Sequence, residues 1–86
     1  MIEVKKFSSI YCGPCRMLQR TFDEVKSEVS GVSFTDVDVD INEAEAIKYG
    51  VSSIPLVVIE KNGQIVKKIQ GSQPKSTYVN AINEYR

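Results

Sequence analysis

The chain has 86 residues, with eleven basic and eleven acidic side chains giving a formal net charge of zero, and it has no histidine. A chain this short builds one core, so a single domain over residues 1–86 is expected, and its balanced charge excludes the broad basic field needed to hold nucleic acid or an anionic membrane. No apolar run approaches the roughly 20 residues of a bilayer span, and Met1 to Phe7 lacks the apolar stretch and cleavage site of a secretory leader, so a cytoplasmic, unprocessed protein is expected.

Ile2 to Phe7 reads as a strand that stops just before the only two cysteines. From Cys15 onward, Leu18, Phe22, Val25 and Val29 recur every three or four residues, which predicts one buried face of a helix ending near Gly31. Ser33 to Ile41 alternates. It reads as a second strand with Thr35, Val37, Val39 and Ile41 on one side and Phe34, Asp36, Asp38 and Asp40 on the other. Asn42 followed by Glu45 predicts a helix start, and Gly50 after Tyr49 its stop. Pro55 opens the apolar run Leu56 to Ile59, and Asn62-Gly63 is a strong hairpin signal leading into Ile65 to Ile69, so these two strands are antiparallel. Pro74, then Tyr78, Val79, Ile82 and Tyr85, marks a terminal helix. The order β-α-β-α-β-β-α with right-handed crossovers predicts an α/β fold. Its mixed four-stranded sheet has the order 2-1-3-4 and helices on both faces. The cysteine loop then lies beyond the carboxyl end of the first strand, where open α/β sheets place their sites.

Cys12, Gly13, Pro14 and Cys15 form a C-G-P-C turn at the start of the first helix. An i, i+3 pair at a helix start meets the Cα separation that a disulfide requires, so the pair can open and close with little backbone movement. The unpaired N–H groups and partial positive charge of the helix end stabilise an anion, which favours the Cys12 thiolate. Cys12, nearer the surface, is the expected nucleophile, and Cys15 the residue that resolves the mixed disulfide.

Y-C-G-P-C resembles the thioredoxin signature, with Tyr11 in place of the usual tryptophan. The likeness extends through the end of the Asp40 strand, Y-G-V-S-S-I-P, K-N-G and the Gly71 turn. It resembles the short thioredoxins of archaea and bacteriophages, which lack the first strand and helix of full-length members. The resemblance implies a thioredoxin-like fold and a protein-disulfide reductase that carries no bound cofactor besides its redox-active disulfide. It also implies a cis peptide at Ile54-Pro55 facing that disulfide, substrate pairing at the Ile54 backbone, and space for substrate at Gly71. The implied partners are disulfide-containing client proteins, with ribonucleotide reductase among them, and a thioredoxin reductase-like electron donor. A monomer is expected.

Two departures from the family pattern bear on the chemistry. The family places a buried aspartate six positions ahead of the first cysteine and pairs it with a lysine on the next strand; here those positions hold Lys6 and Asp36. The two charges are exchanged, which predicts a Lys6 to Asp36 ion pair beneath Cys15, because a buried charge needs a partner. A cationic Lys6 favours the thiolate, and a neutral one could accept the Cys15 proton. The competing reading is that Lys6 snorkels to solvent from a short strand end. Ser8 stands where the family carries a second tryptophan, and Arg20 where it carries a helix-kinking proline.

The competing functions are weaker. Two soft ligands without a histidine or another cysteine fall short of the four a zinc site uses, and Asp36, Asp38 and Asp40 read as a solvated strand face rather than a cation site. Lys67-Lys68 is too small a basic cluster for nucleic acid. A redox-incidental binding module, or a disulfide oxidase or isomerase, remains as the alternative to the reductase.

Overall fold

The third strand explains the sheet. In the computed structural model, which describes residues 1–86, Leu56, Val57, Val58 and Ile59 are all buried on alternating faces, so this strand must be covered on both sides. The elements are β1 (Ile2–Ser8), α1 (Gly13–Glu28), β2 (Ser33–Asp38), α2 (Glu43–Lys48), β3 (Leu56–Lys61), β4 (Gln64–Gln70) and α3 (Lys75–Tyr85). The sheet order is β2-β1-β3-β4, with β1 parallel to β2 and antiparallel to β3, and β3 antiparallel to β4. This is the predicted topology.

One face of the sheet packs Val4, Val57 and Ile59 against Leu18, Phe22 and Val25 of α1 and Tyr78 and Ile82 of α3. These helical residues recur at three and four positions, so a single stripe of each helix meets the sheet. The other face holds Phe7, Val37, Leu56 and Val58 under Tyr49. Helix α2 buries none of its own six residues; its C-cap residue Tyr49 supplies the contact. Tyr49 also donates to both carboxylate oxygens of buried Glu60 at 3.0 Å and accepts from Lys5 at 2.6 Å. The one buried carboxylate of the sheet is thereby satisfied.

The turns follow their residues. Asn62 and Gly63 both have positive φ, 53° and 83°, the conformation of a two-residue hairpin that closes on the Lys61 to Gln64 pair. Beyond it, the pairing shifts by one residue between Ile59 and Glu60, which a sequence pattern cannot show.

One expectation is corrected here. Strand β2 ends at Asp38, three residues short of Ile41, so Ile41 does not share a strand face with Val37 and is 79% exposed. Asp38 is the cause: its side chain accepts from the Asp40 N–H at 2.9 Å, and its carbonyl accepts from the Asn42 N–H at 2.8 Å, turning the chain out of the sheet. Asn42 precedes α2 as predicted, but its side chain donates to the Asp38 carbonyl at 3.2 Å and makes no cap bond to the helix.

Candidate active site

Strand β1 delivers the chain to the carboxyl edge of the sheet, and residues 9–12 turn it into α1. Ser9 organises that turn: its hydroxyl accepts from the Tyr11 N–H at 3.1 Å and donates to the Asp40 carboxylate, tying the loop to the end of β2. The Cys12 N–H then donates to the Ser9 carbonyl at 3.2 Å. Ser9 carried no motif signal, because a serine in a turn is commonplace in sequence.

Cys12 is the N-cap of α1, and its sulfur accepts the Cys15 N–H at 3.2 Å. A helix-start amide thus points at the sulfur that becomes an anion on reduction, and no acidic residue in the first turn opposes that charge. Cys12 and Cys15 are joined in a disulfide, with their Cα atoms 5.2 Å apart. Cys15 is buried and Cys12 only half-buried, so a macromolecule can approach one sulfur and not the other. Pro14 sits inside the first turn, where no intrahelical N–H is needed, and a side chain at Gly13 would meet nothing within 4 Å. The outer side of the turn is therefore open. Tyr11, 82% exposed, stands beside it without covering it.

Lys6 lies under this turn. Its side chain is only 6% exposed, yet with Cys15, Arg16, Gln19 and Asp38 it lines a cleft of about 210 Å³. Its ammonium sits 3.4 Å from Asp36 and 5.4 Å from the centre of the Phe22 ring. Asp36 is 58% exposed and is shared with Lys26 at 3.9 Å, so the pair joins a buried cation to a solvated anion. The three aspartates of the second strand and its exit serve three ends: Asp36 pairs with lysines, Asp38 turns the chain, and Asp40 holds Ser9.

The Phe7 to Leu56 register brings Ile54-Pro55 to the same edge of the sheet as the cysteine loop, and this peptide bond is cis. The Pro55 carbonyl accepts from the Gly71 N–H at 2.8 Å and from the Gln70 side chain at 3.0 Å. Gly71 has a φ of 79°, which a side chain would strain. Tyr78 anchors that turn from α3: its hydroxyl donates to the Gly71 carbonyl at 3.1 Å and accepts from the Gln73 N–H at 3.0 Å. The spacing that marks α3 in the sequence locates the Tyr78 ring but not the bonds of its hydroxyl.

A cysteine pair that opens and closes at the N-terminus of a helix, at the carboxyl edge of a sheet, defines a thiol-disulfide oxidoreductase. The thioredoxin family profile matches residues 2–84. The thioredoxin of Haemophilus influenzae is 39% identical over 80 residues, covering 92% of this chain and 75% of that one. The thioredoxin of Chlamydia caviae is 37% identical over 79 residues, covering 92% and 78%. Among solved structures, Fasciola hepatica thioredoxin is similar with a TM-score of 0.91 at 32% identity, over 99% of this chain and 81% of that one. The chain belongs to the thioredoxin family, and with its cysteine pair intact it is a protein-disulfide reductase. No helix is long and apolar enough to cross a membrane.

Proposed function

We propose that the protein reduces disulfides of client proteins in the cytoplasm as a monomer, with Cys12 as nucleophile and Cys15 as resolving thiol. The observation that carries the assignment of roles is the difference in burial between the two sulfurs on one helix start. The Cys12 thiolate attacks a client disulfide, forming a mixed disulfide and releasing one client thiolate. Cys15 then attacks the Cys12 sulfur and closes the Cys12–Cys15 bond, its proton passing to the second client sulfur, which leaves as a thiol. Two electrons leave the protein per cycle, and a thioredoxin reductase-like donor returns them. The exchange needs no cofactor beyond the cysteine pair. Ribonucleotide reductase is the client we infer from the likeness to short thioredoxins.

Around the sulfurs, Tyr11 and the Gly13-Pro14 turn form the surface a client meets, and the Ile54 backbone pairs with the client chain where Gly71 leaves it room. Lys6 is a positioning residue. Its charge, held by Asp36, favours the Cys15 thiolate across the shared cleft, and the buried side chain and common lining support this. Cys15→Ser should stop after the first step and accumulate a covalent client adduct, seen by mass. Cys12→Ser should form none. Equal trapping by both variants would reverse the assignment of roles.

A further inference from the structure

Arg16, Met17 and Arg20 occupy the open side of α1, directly after the cysteine turn, and line a shallow cleft of about 220 Å³. Their placement runs against the local rules. Arg16 is a cation in the first turn, where the helix end repels positive charge, and Arg20 adds a like charge at i+4. Asp23 and Glu24 follow Arg20 at i+3 and i+4, and Asp38 lines the same cleft as Arg16, yet no carboxylate closes on either guanidinium. None of its ion pairs involves either guanidinium, and the one recorded bond of Arg16 is to the Ile10 carbonyl at 3.2 Å. That bond lays Arg16 along the loop leading to Cys12. Met17, between the two, is 67% exposed. Two exposed guanidiniums that make no close ion pair within the molecule are free to pair with a carboxylate from outside. Proximity to the thiolate would account for Arg16 alone, but not for Arg20 one turn further on, nor for an exposed thioether between them.

The surrounding charge gives the surface a direction. The chain is neutral overall, and two carboxylates stand on the β2 side of the cysteine turn: Asp38 lines the cleft beside Cys15, and Asp40 accepts from Ser9. The rim of the site is thus basic on its α1 side and acidic on its β2 side. We propose that the Arg16, Met17 and Arg20 face docks an acidic segment flanking the client disulfide, with Met17 covering an apolar side chain of that segment. Guanidiniums suit this task because they pair with carboxylates in a fixed fork, and methionine because it adapts to varied neighbours. The inference rests on the reductase reading and adds the class of client that the site selects.

Two peptide disulfides that differ only in carrying Asp or Asn beside the cysteine test it, with kcat/KM measured against ionic strength. The wild type should prefer the Asp peptide by about fivefold at low salt, as two partly exposed charge pairs allow, and the ratio should approach one near 0.5 M salt (a screening length of about 4 Å). Arg20→Glu should bring the low-salt ratio to one or below, and Arg20→Gln to an intermediate value. A wild-type ratio of one at low salt, or one that neither substitution changes, overturns the docking surface. Failure to reduce the Asn peptide at all would instead overturn the reductase reading on which it rests.

Discussion

At the scale of single residues, the proposed role of Lys6 beneath Cys15 is open to a direct test. On the proposed mechanism Lys6 and Asp36 act oppositely on the Cys15 sulfur, so their substitutions should move it in opposite directions. Lys6→Met removes the positive charge, and Asp36→Asn leaves it uncompensated. Across a cleft open to solvent the effect is smaller than at direct contact, so the thiolate fraction of the reduced protein at pH 7 should fall about threefold in the first and rise about threefold in the second. Alkylation rates of each thiol against pH, separated by mass, provide the readout. Loss of structure would shift both variants in the same direction; a shared direction, or no movement, removes Lys6 from the mechanism. The Lys6 to Asp36 pair was legible in sequence because two charges traded places relative to a family pattern, and because neighbouring parallel strands bring such positions together. That Asp36 is shared with Lys26 was not, since a surface lysine on a helix carries no signal of where its end points.

At the scale of elements, α3 does more than complete the core. Tyr78 joins it to the Gly71 turn, whose amide bonds the Pro55 carbonyl. Tyr78→Phe keeps the ring and removes both hydrogen bonds, so it should cost about 1–2 kcal/mol in denaturant unfolding and raise KM for a peptide disulfide more than it lowers kcat. An unchanged KM would detach α3 from the site. The same hydroxyl contributes to an alkaline limit. Burial raises the Tyr78 pKa above its ordinary 10.0, and the hydrogen bond to Tyr49, with the nearby Glu60 charge, raises Lys5 above 10.5. Both groups hold their protons more tightly when folded. Their contribution is therefore fully present below about pH 10, and it falls as pH rises through the folded values. Unfolding free energy should decline above pH 10, less steeply in Tyr78→Phe, and an equal slope in the two proteins would contradict this account of Tyr78. The strands and helices themselves were readable from alternation, three-and-four spacing and the Asn-Gly turn. The end of β2 was not, because it is set by the Asp38 side chain accepting from the Asp40 N–H rather than by any apolar period.

At the scale of the whole molecule, a domain this small has a narrow margin. About 0.05–0.15 kcal/mol per residue gives roughly 4–13 kcal/mol in all. Phe22 is fully enclosed between Phe34, Tyr78 and the sheet. Phe22→Ala should cost about 3–5 kcal/mol, enough to consume much of that margin. Thermal unfolding should begin tens of degrees lower, and a shift of only a few degrees would mean that the core is less interlocked than its contacts indicate. That margin also bears on function, because one face of the sheet carries both the hydrophobic stripe of α1 and the buried Lys6 beneath the cysteine turn.

The most direct test of the reductase reading is an equilibrium redox titration of Cys12 and Cys15 against a thiol-disulfide buffer, read by alkylation and mass. The pair should titrate as a single two-electron couple near the thioredoxin reference of about −270 mV, or a few tens of millivolts above it if the Lys6 charge favours the thiolates. A potential near −120 mV, the range of a strong protein oxidant, would contradict it, as would two sulfurs that do not titrate together.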